Sequence, residues 1–141
     1  MRSSTMDRAL TIPAPTEGSR GDLFIVLCAS GFENAARMRS ALMFAALAAS
    51  ADYRTILYCI QNAVDVMVSG CIEEHEKTQP GLPTIRQRLD EALEMGVEIQ
   101  CCTQTMANKN ITEADLIPGV KPAGAMALIT LTSQAAGSLS F

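Results

Sequence analysis

Leu23-Phe24-Ile25-Val26-Leu27-Cys28-Ala29, closed by Ser30-Gly31, is a continuous run of β-prone apolar residues. A strand with one face in water alternates apolar and polar residues, whereas one that is apolar throughout is buried on both faces, as in a parallel sheet covered by helices. The residues that follow have a different character. Asn34 to Ala51 contains no Gly or Pro and is dominated by Ala, Leu and Met, so it reads as a helix. Its apolar positions reach nearly every face after the first two turns, where Arg37 and Arg39 still point outward, which predicts burial on more than one side.

The alternation continues downstream. Tyr53 to Ile60 is a second strand ending at Gln61-Asn62, and Ala63 to Glu76 reads as a helix with Val64, Met67, Val68, Cys71 and Ile72 on its inner face. The turn cluster Gln79-Pro80-Gly81-Leu82-Pro83 precedes a helix capped by Thr84 that runs to Met95 and stops at Gly96. Val97 to Cys102 is a third strand, followed by a short helical segment, Thr103 to Asn110, and one turn at Thr112 to Leu116. Pro118-Gly119 breaks that turn, a last helix spans about Ala123 to Gln134, and Ser138 to Phe141 forms a final short strand. Strands alternating with helices imply right-handed crossovers, hence an α/β fold: a three-layer α/β/α domain around a mostly parallel sheet of four to five strands. Upstream, residues 1–21 are rich in Ser, Thr, Pro and Gly without a sustained period, and are expected to form a flexible extension to a single domain over residues 22–141.

Composition narrows the function classes. The chain has 141 residues, 48% of them hydrophobic and 18% charged, which excludes disorder for most of its length. A formal net charge of -4 does not suit a partner rich in phosphates, and an aromatic content of 4% leaves little for base stacking, so no nucleic-acid role is expected. Five cysteines, scattered through apolar stretches, do not make a disulfide framework. With no apolar run of the roughly 20 residues that span a bilayer and no signal-like segment, the expected address is the cytoplasm, with no membrane span.

Ligands and reactive groups of parallel α/β sheets gather at the carboxyl ends of the strands, here Ser30 to Glu33, Gln61 to Val64 and Cys102 to Met106. The pair Cys101-Cys102 lies at one of these ends. Alternation along the strand puts Val97, Ile99 and Cys101 on one face, so Cys101 reads as packing and Cys102 as presented at the exit. A thiol at the start of a helical turn is favoured as thiolate by the helix dipole, and Lys109 would add positive charge if it turned that way. The competing reading is that Cys102, like Cys28 and Cys59, is a small buried hydrophobe. Cys71 and His75 are spaced i, i+4 like a metal pair, but no third ligand is near in sequence, and no metal is expected. No glycine fingerprint follows the first strand, where the residues are Ala29-Ser30-Gly31-Phe32-Glu33-Asn34, so no cofactor is expected, although a nucleotide or flavin can bind such loops without one.

The stretch Gly96-Val97-Glu98-Ile99-Gln100-Cys101-Cys102-Thr103-Gln104-Thr105-Met106, continuing through Ile111, Asp115-Leu116-Ile117, Gly119-Val120 and Ala123-Gly124, resembles the DsrE/DsrF-like sulfur-relay family, which includes the TusD sulfurtransferase subunits. The resemblance implies a sulfur-relay protein that carries sulfane sulfur or thiosulfonate on Cys102 and passes it to a partner thiol, with Cys101 the weaker alternative. It implies that backbone N–H groups of Thr103, Gln104, Thr105 and Met106 stabilise the anion. Homo- or hetero-oligomers are implied too, a homo-oligomer being expected here, with sulfur donors and acceptors such as a rhodanese or a TusA-like carrier as partners. A second family cysteine, three residues on, is replaced here by Thr105, which removes a C-x-x-C couple but leaves a single-cysteine carrier. The alternative is a non-catalytic binding or assembly subunit with an inert cysteine.

Overall fold

In the computed structural model, which describes residues 22–141, five strands form one sheet. The extension expected for residues 1–21 lies outside the described residues. The strands are β1 (Leu23–Cys28), β2 (Arg54–Cys59), β3 (Glu98–Cys102), β4 (Val120–Ala123) and β5 (Gly137–Ser140), in the order β4-β3-β2-β1-β5. Every pairing is parallel. The helices are α1 (Ala35–Ser50), α2 (Asn62–Val66), α3 (Cys71–His75), α4 (Ile85–Glu94), α5 (Thr103–Asn108) and α6 (Ala125–Gln134).

From β1 to β4 the chain crosses the sheet in one direction, and it then returns to the far side of β1 as β5. Because parallel crossovers are right-handed, that reversal moves the last helix to the opposite face. One face, carrying Val26, Cys28, Leu57, Cys59, Ile99 and Cys101, packs under α1 and α4. The other, carrying Leu23, Ile25 and Ile56, is met by Leu128 and Leu131 of α6. The expected three layers are therefore present, with unequal cover on the two sides.

Three local expectations need correction. Helix α1 buries a single stripe, Met38, Ala41, Leu42 and Ala45, while Phe44 and Leu47 remain 39% and 54% exposed. The sheet and α4 supply only one wall for it, so its apolar excess faces outward. The helix expected over 63–76 is two short helices. Between them Gly70 adopts φ +87°, Val68 bridges to Leu116, and Ser69 N–H donates to the Asp115 carbonyl at 2.8 Å. Finally, Val120–Ala123 is an edge strand that the sequence reading missed, and the last helix starts after it, at Ala125. Pro122 disguises this strand, yet an edge position tolerates a residue without an N–H donor. The α4 start agrees with expectation: Thr84 Oγ1 accepts from Gln87 N–H at 3.0 Å while Gln87 Oε1 accepts from Thr84 N–H at 2.8 Å.

Candidate functional site

The row of cysteines at the carboxyl end of the sheet divides by face. Cys28, Cys59 and Cys101 are in register on neighbouring strands, all with 0% exposure, on the face covered by α1. Burial pushes the Cys28 thiol up, and a hydrogen bond with Cys101 together with burial does the same for Cys59, so Cys28 and Cys59 are protonated packing residues. Cys102 points to the other face, ends β3 and caps α5.

The surroundings of Cys102 act against its burial. The residue is 7% exposed, less open than the sequence reading anticipated, and burial alone would raise its pKa. Hydrogen bonds reverse that. Hydrogen bonding from the Thr105 N–H, the Tyr58 hydroxyl, the Thr105 hydroxyl and the Gln104 N–H more than offsets burial and holds the thiol below its ordinary value. Donors that converge on a charged acceptor favour the ionised form more than the neutral one. Tyr58 is itself pushed up by burial and by its bond to Cys102, so it remains a proton donor throughout the neutral range.

Two of these donors are held by other strands. Tyr58, on β2, is 1% exposed, and its hydroxyl lies 2.9 Å from the Ala123 carbonyl at the end of β4. The Thr105 hydroxyl accepts from Gln61 N–H at 3.2 Å, which ties α5 to the exit of β2. Gln61 has φ +52° and ψ -128°, a conformation that costs a residue with a side chain about 1–3 kcal/mol and that persists only where its surroundings enforce it. Gln100, two residues before Cys102 on the same face, buries its side-chain oxygen without a partner among the described residues. Such an orphaned acceptor costs about 1–3 kcal/mol.

Of the residues expected to stabilise the anion, Gln104 and Thr105 are among the groups that lower the Cys102 pKa, whereas Thr103 is exposed and Met106 packs into the core at 5% exposure. Lys109 is likewise turned away: its Nζ pairs with Asp65 at 3.1 Å. Sequence reasoning missed Tyr58, whose only signal was its position near the carboxyl end of a predicted strand, and included Gln61 only as one of the strand-end residues. His75 is exposed, 3.3 Å from Glu74 and packed against Phe32, and no group of three possible metal ligands occurs among the described residues. No helix among the described residues is long and apolar enough to cross a membrane.

Comparison with known proteins agrees with this architecture. The profile of the DsrE/DsrF-like family matches residues 22–141. Among solved structures, the ychN protein of E. coli superimposes with a TM-score of 0.69 at 19% identity, covering 86% of this chain and 99% of that one. A protein of unknown function from Bacteroides thetaiotaomicron gives 0.62 at 14% identity over 89% of this chain and 100% of that one. One of unknown function from Methanobacterium thermoautotrophicum gives 0.57 at 14% identity over 79% and 91%. At these identities the likeness concerns the fold. No curated protein matches the chain.

Proposed function

The chain belongs to the DsrE/DsrF-like family, and on that premise we propose that it relays sulfur through Cys102. The family is generally associated with sulfur relay. The observation that carries the reading is the convergence of Tyr58, Thr105 and Gln104 donors on one thiol at a strand end. A depressed thiol pKa raises the thiolate fraction near neutrality, and the thiolate is the nucleophile. The Cys102 thiolate attacks the outer sulfur of a donor persulfide. A new S–S bond forms as the donor's S–S bond breaks, the donor leaves as a thiolate, and Cys102 is left as a persulfide. An acceptor thiolate then attacks that outer sulfur and Cys102 leaves as thiolate, with no net oxidation. Tetrathionate enters by the same displacement, leaving a thiosulfonate on Cys102 and releasing thiosulfate.

The chain works as a homo-oligomer in a reducing compartment, with separate donor and acceptor proteins. Support for assembly comes from α6, where Met126 and Ile129, three residues apart, are 73% and 60% exposed. Apolar side chains clustered in this way mark contact surfaces. Mass spectrometry after incubation with polysulfide or tetrathionate tests the relay. Adducts on the wild-type chain that persist in Cys101→Ser and vanish in Cys102→Ser are expected. A wild-type chain that stays unmodified would favour an inert assembly subunit.

A further inference from the structure

A cleft of about 1110 Å³ lies beyond the carboxyl ends of β1 and β2, walled by α1, α3 and the loop after α3, with no contribution from Cys102 or the groups around it. Its apolar lining includes Phe32, Val68, Leu82 and Ile111. The His75 ring sits 5.5 Å from that of Phe32, so one wall is aromatic. The volume lies slightly above the usual range for sites that take small organic ligands.

The charged groups on the walls differ in one respect. Each carboxylate is already engaged: Glu33 Oε1 accepts from Gly31 N–H at 2.9 Å, Asp65 pairs with Lys109 at 3.1 Å, and Glu76 Oε2 accepts from Ile85 N–H at 2.8 Å. Arg39 and Lys77 form no ion pair among the described residues. The charged groups of the cleft without a partner among the described residues are therefore cations. Without a glycine-rich turn after β1, an anion there has to be held by side chains and not by a backbone cradle.

We infer that this cleft binds a small organic anion with a flat ring, the ring lying against Phe32 and the apolar wall and a phosphate or carboxylate meeting Arg39 and Lys77. A guanidinium suits both groups, because its planar donors pair with two oxygens at once. The site is separate from Cys102 and stands whether or not Cys102 relays sulfur.

The test is a titration of the ¹⁵N-labelled full chain, followed by amide shifts, with AMP, nicotinate, adenosine and the neutral amide of nicotinate as probes. Saturable shifts clustered at Phe32 to Ala36 and at Leu82 are expected with AMP, nicotinate or both, and the pair tells a phosphate site from a carboxylate one. Adenosine has the ring without the anion and is expected to bind about tenfold more weakly than AMP, the loss of one charged hydrogen bond. Arg39→Gln combined with Lys77→Gln is expected to weaken the anionic probe by about tenfold or more while distant amides stay in place. Absence of shifts in the cleft with both anions, shifts centred elsewhere, or adenosine binding as tightly as AMP would each overturn the inference. The wild-type comparisons of AMP with adenosine and of nicotinate with its neutral amide decide the matter even if the double variant does not fold.

Discussion

Replacing Tyr58 with Phe removes one hydroxyl and keeps the ring, which confines the perturbation to a single donor. That hydroxyl lies 2.9 Å from the Ala123 carbonyl and within reach of the Cys102 sulfur. It has one proton to give. While Cys102 is neutral the proton goes to the carbonyl, and when Cys102 ionises it turns to the charged sulfur. The thiolate therefore gains the difference between a hydrogen bond to a charged group, about 1.5–3 kcal/mol, and one to a neutral group, about 0.5–1.5 kcal/mol. That difference is roughly 1.4 kcal/mol, which corresponds to about one pKa unit. Tyr58→Phe should thus raise the Cys102 pKa by about one unit and, on the acid side of the titration, slow alkylation about tenfold. The assay is the rate of iodoacetamide modification against pH, read peptide by peptide so that the partly exposed Cys71 is scored separately. A titration midpoint that stays in place or moves down, in a variant with a native circular dichroism spectrum, refutes the reasoning.

Three further outcomes follow from the geometry. The folded-state pKa of Cys102 lies below its ordinary value of 9.0, so the thiolate's contribution to stability is complete above about 9 and is lost as pH falls through the folded pKa. The difference in urea stability between wild type and Cys102→Ala should therefore grow from neutral to alkaline pH. Subtracting the two curves removes the opposing effect of Cys28, Cys59 and Cys71, all raised. A Cβ at Gly31 would stand 2.1 Å from the Asn62 carbonyl oxygen, so Gly31→Ala should destabilise the chain by about 1–3 kcal/mol, visible as a lower urea midpoint. Met126→Asp with Ile129→Asp should leave single-chain stability within about 1 kcal/mol, because both side chains are exposed, yet reduce the sedimenting mass to that of one chain. An unchanged assembly would place the contact surface elsewhere.

The parts of the fold that were legible in the sequence are those settled locally. The apolar run of β1 showed its double burial residue by residue, and Thr84 with Gln87 marked the start of α4. Alternation along β3 also puts Cys101 and Cys102 on opposite faces, since it depends only on neighbours along one strand, although Cys102 is buried at 7% exposure and not presented. What escaped notice depends on partners distant in the chain. Val120–Ala123 is a strand because β3 lies beside it, and Tyr58 reaches Cys102 because Tyr58 and Gln100 are partners in the sheet. No periodicity reports such pairings. Nor does an apolar helix say where its surplus will go: Phe44 and Leu47 read as core and are exposed. Lys109 shows the same limit for charge, because Asp65, which captures it, precedes it by 44 residues.

The register of Cys28, Cys59 and Cys101 across three neighbouring strands has a practical side. A thiol reagent can reach these sulfurs only when the middle of the sheet comes apart. Their slow labelling under native conditions is thus a clock for that opening. Where reclosing outpaces the reagent, the labelling rate relative to that of an unfolded thiol is the opening equilibrium constant. Cys102, one residue beyond Cys101 on the opposite face and 7% exposed, is expected to be modified without it. A single time course read by mass therefore reports the chemistry of one cysteine and the integrity of its scaffold on separate peptides, and a substitution that merely loosens the sheet is told apart from one that retunes the thiol.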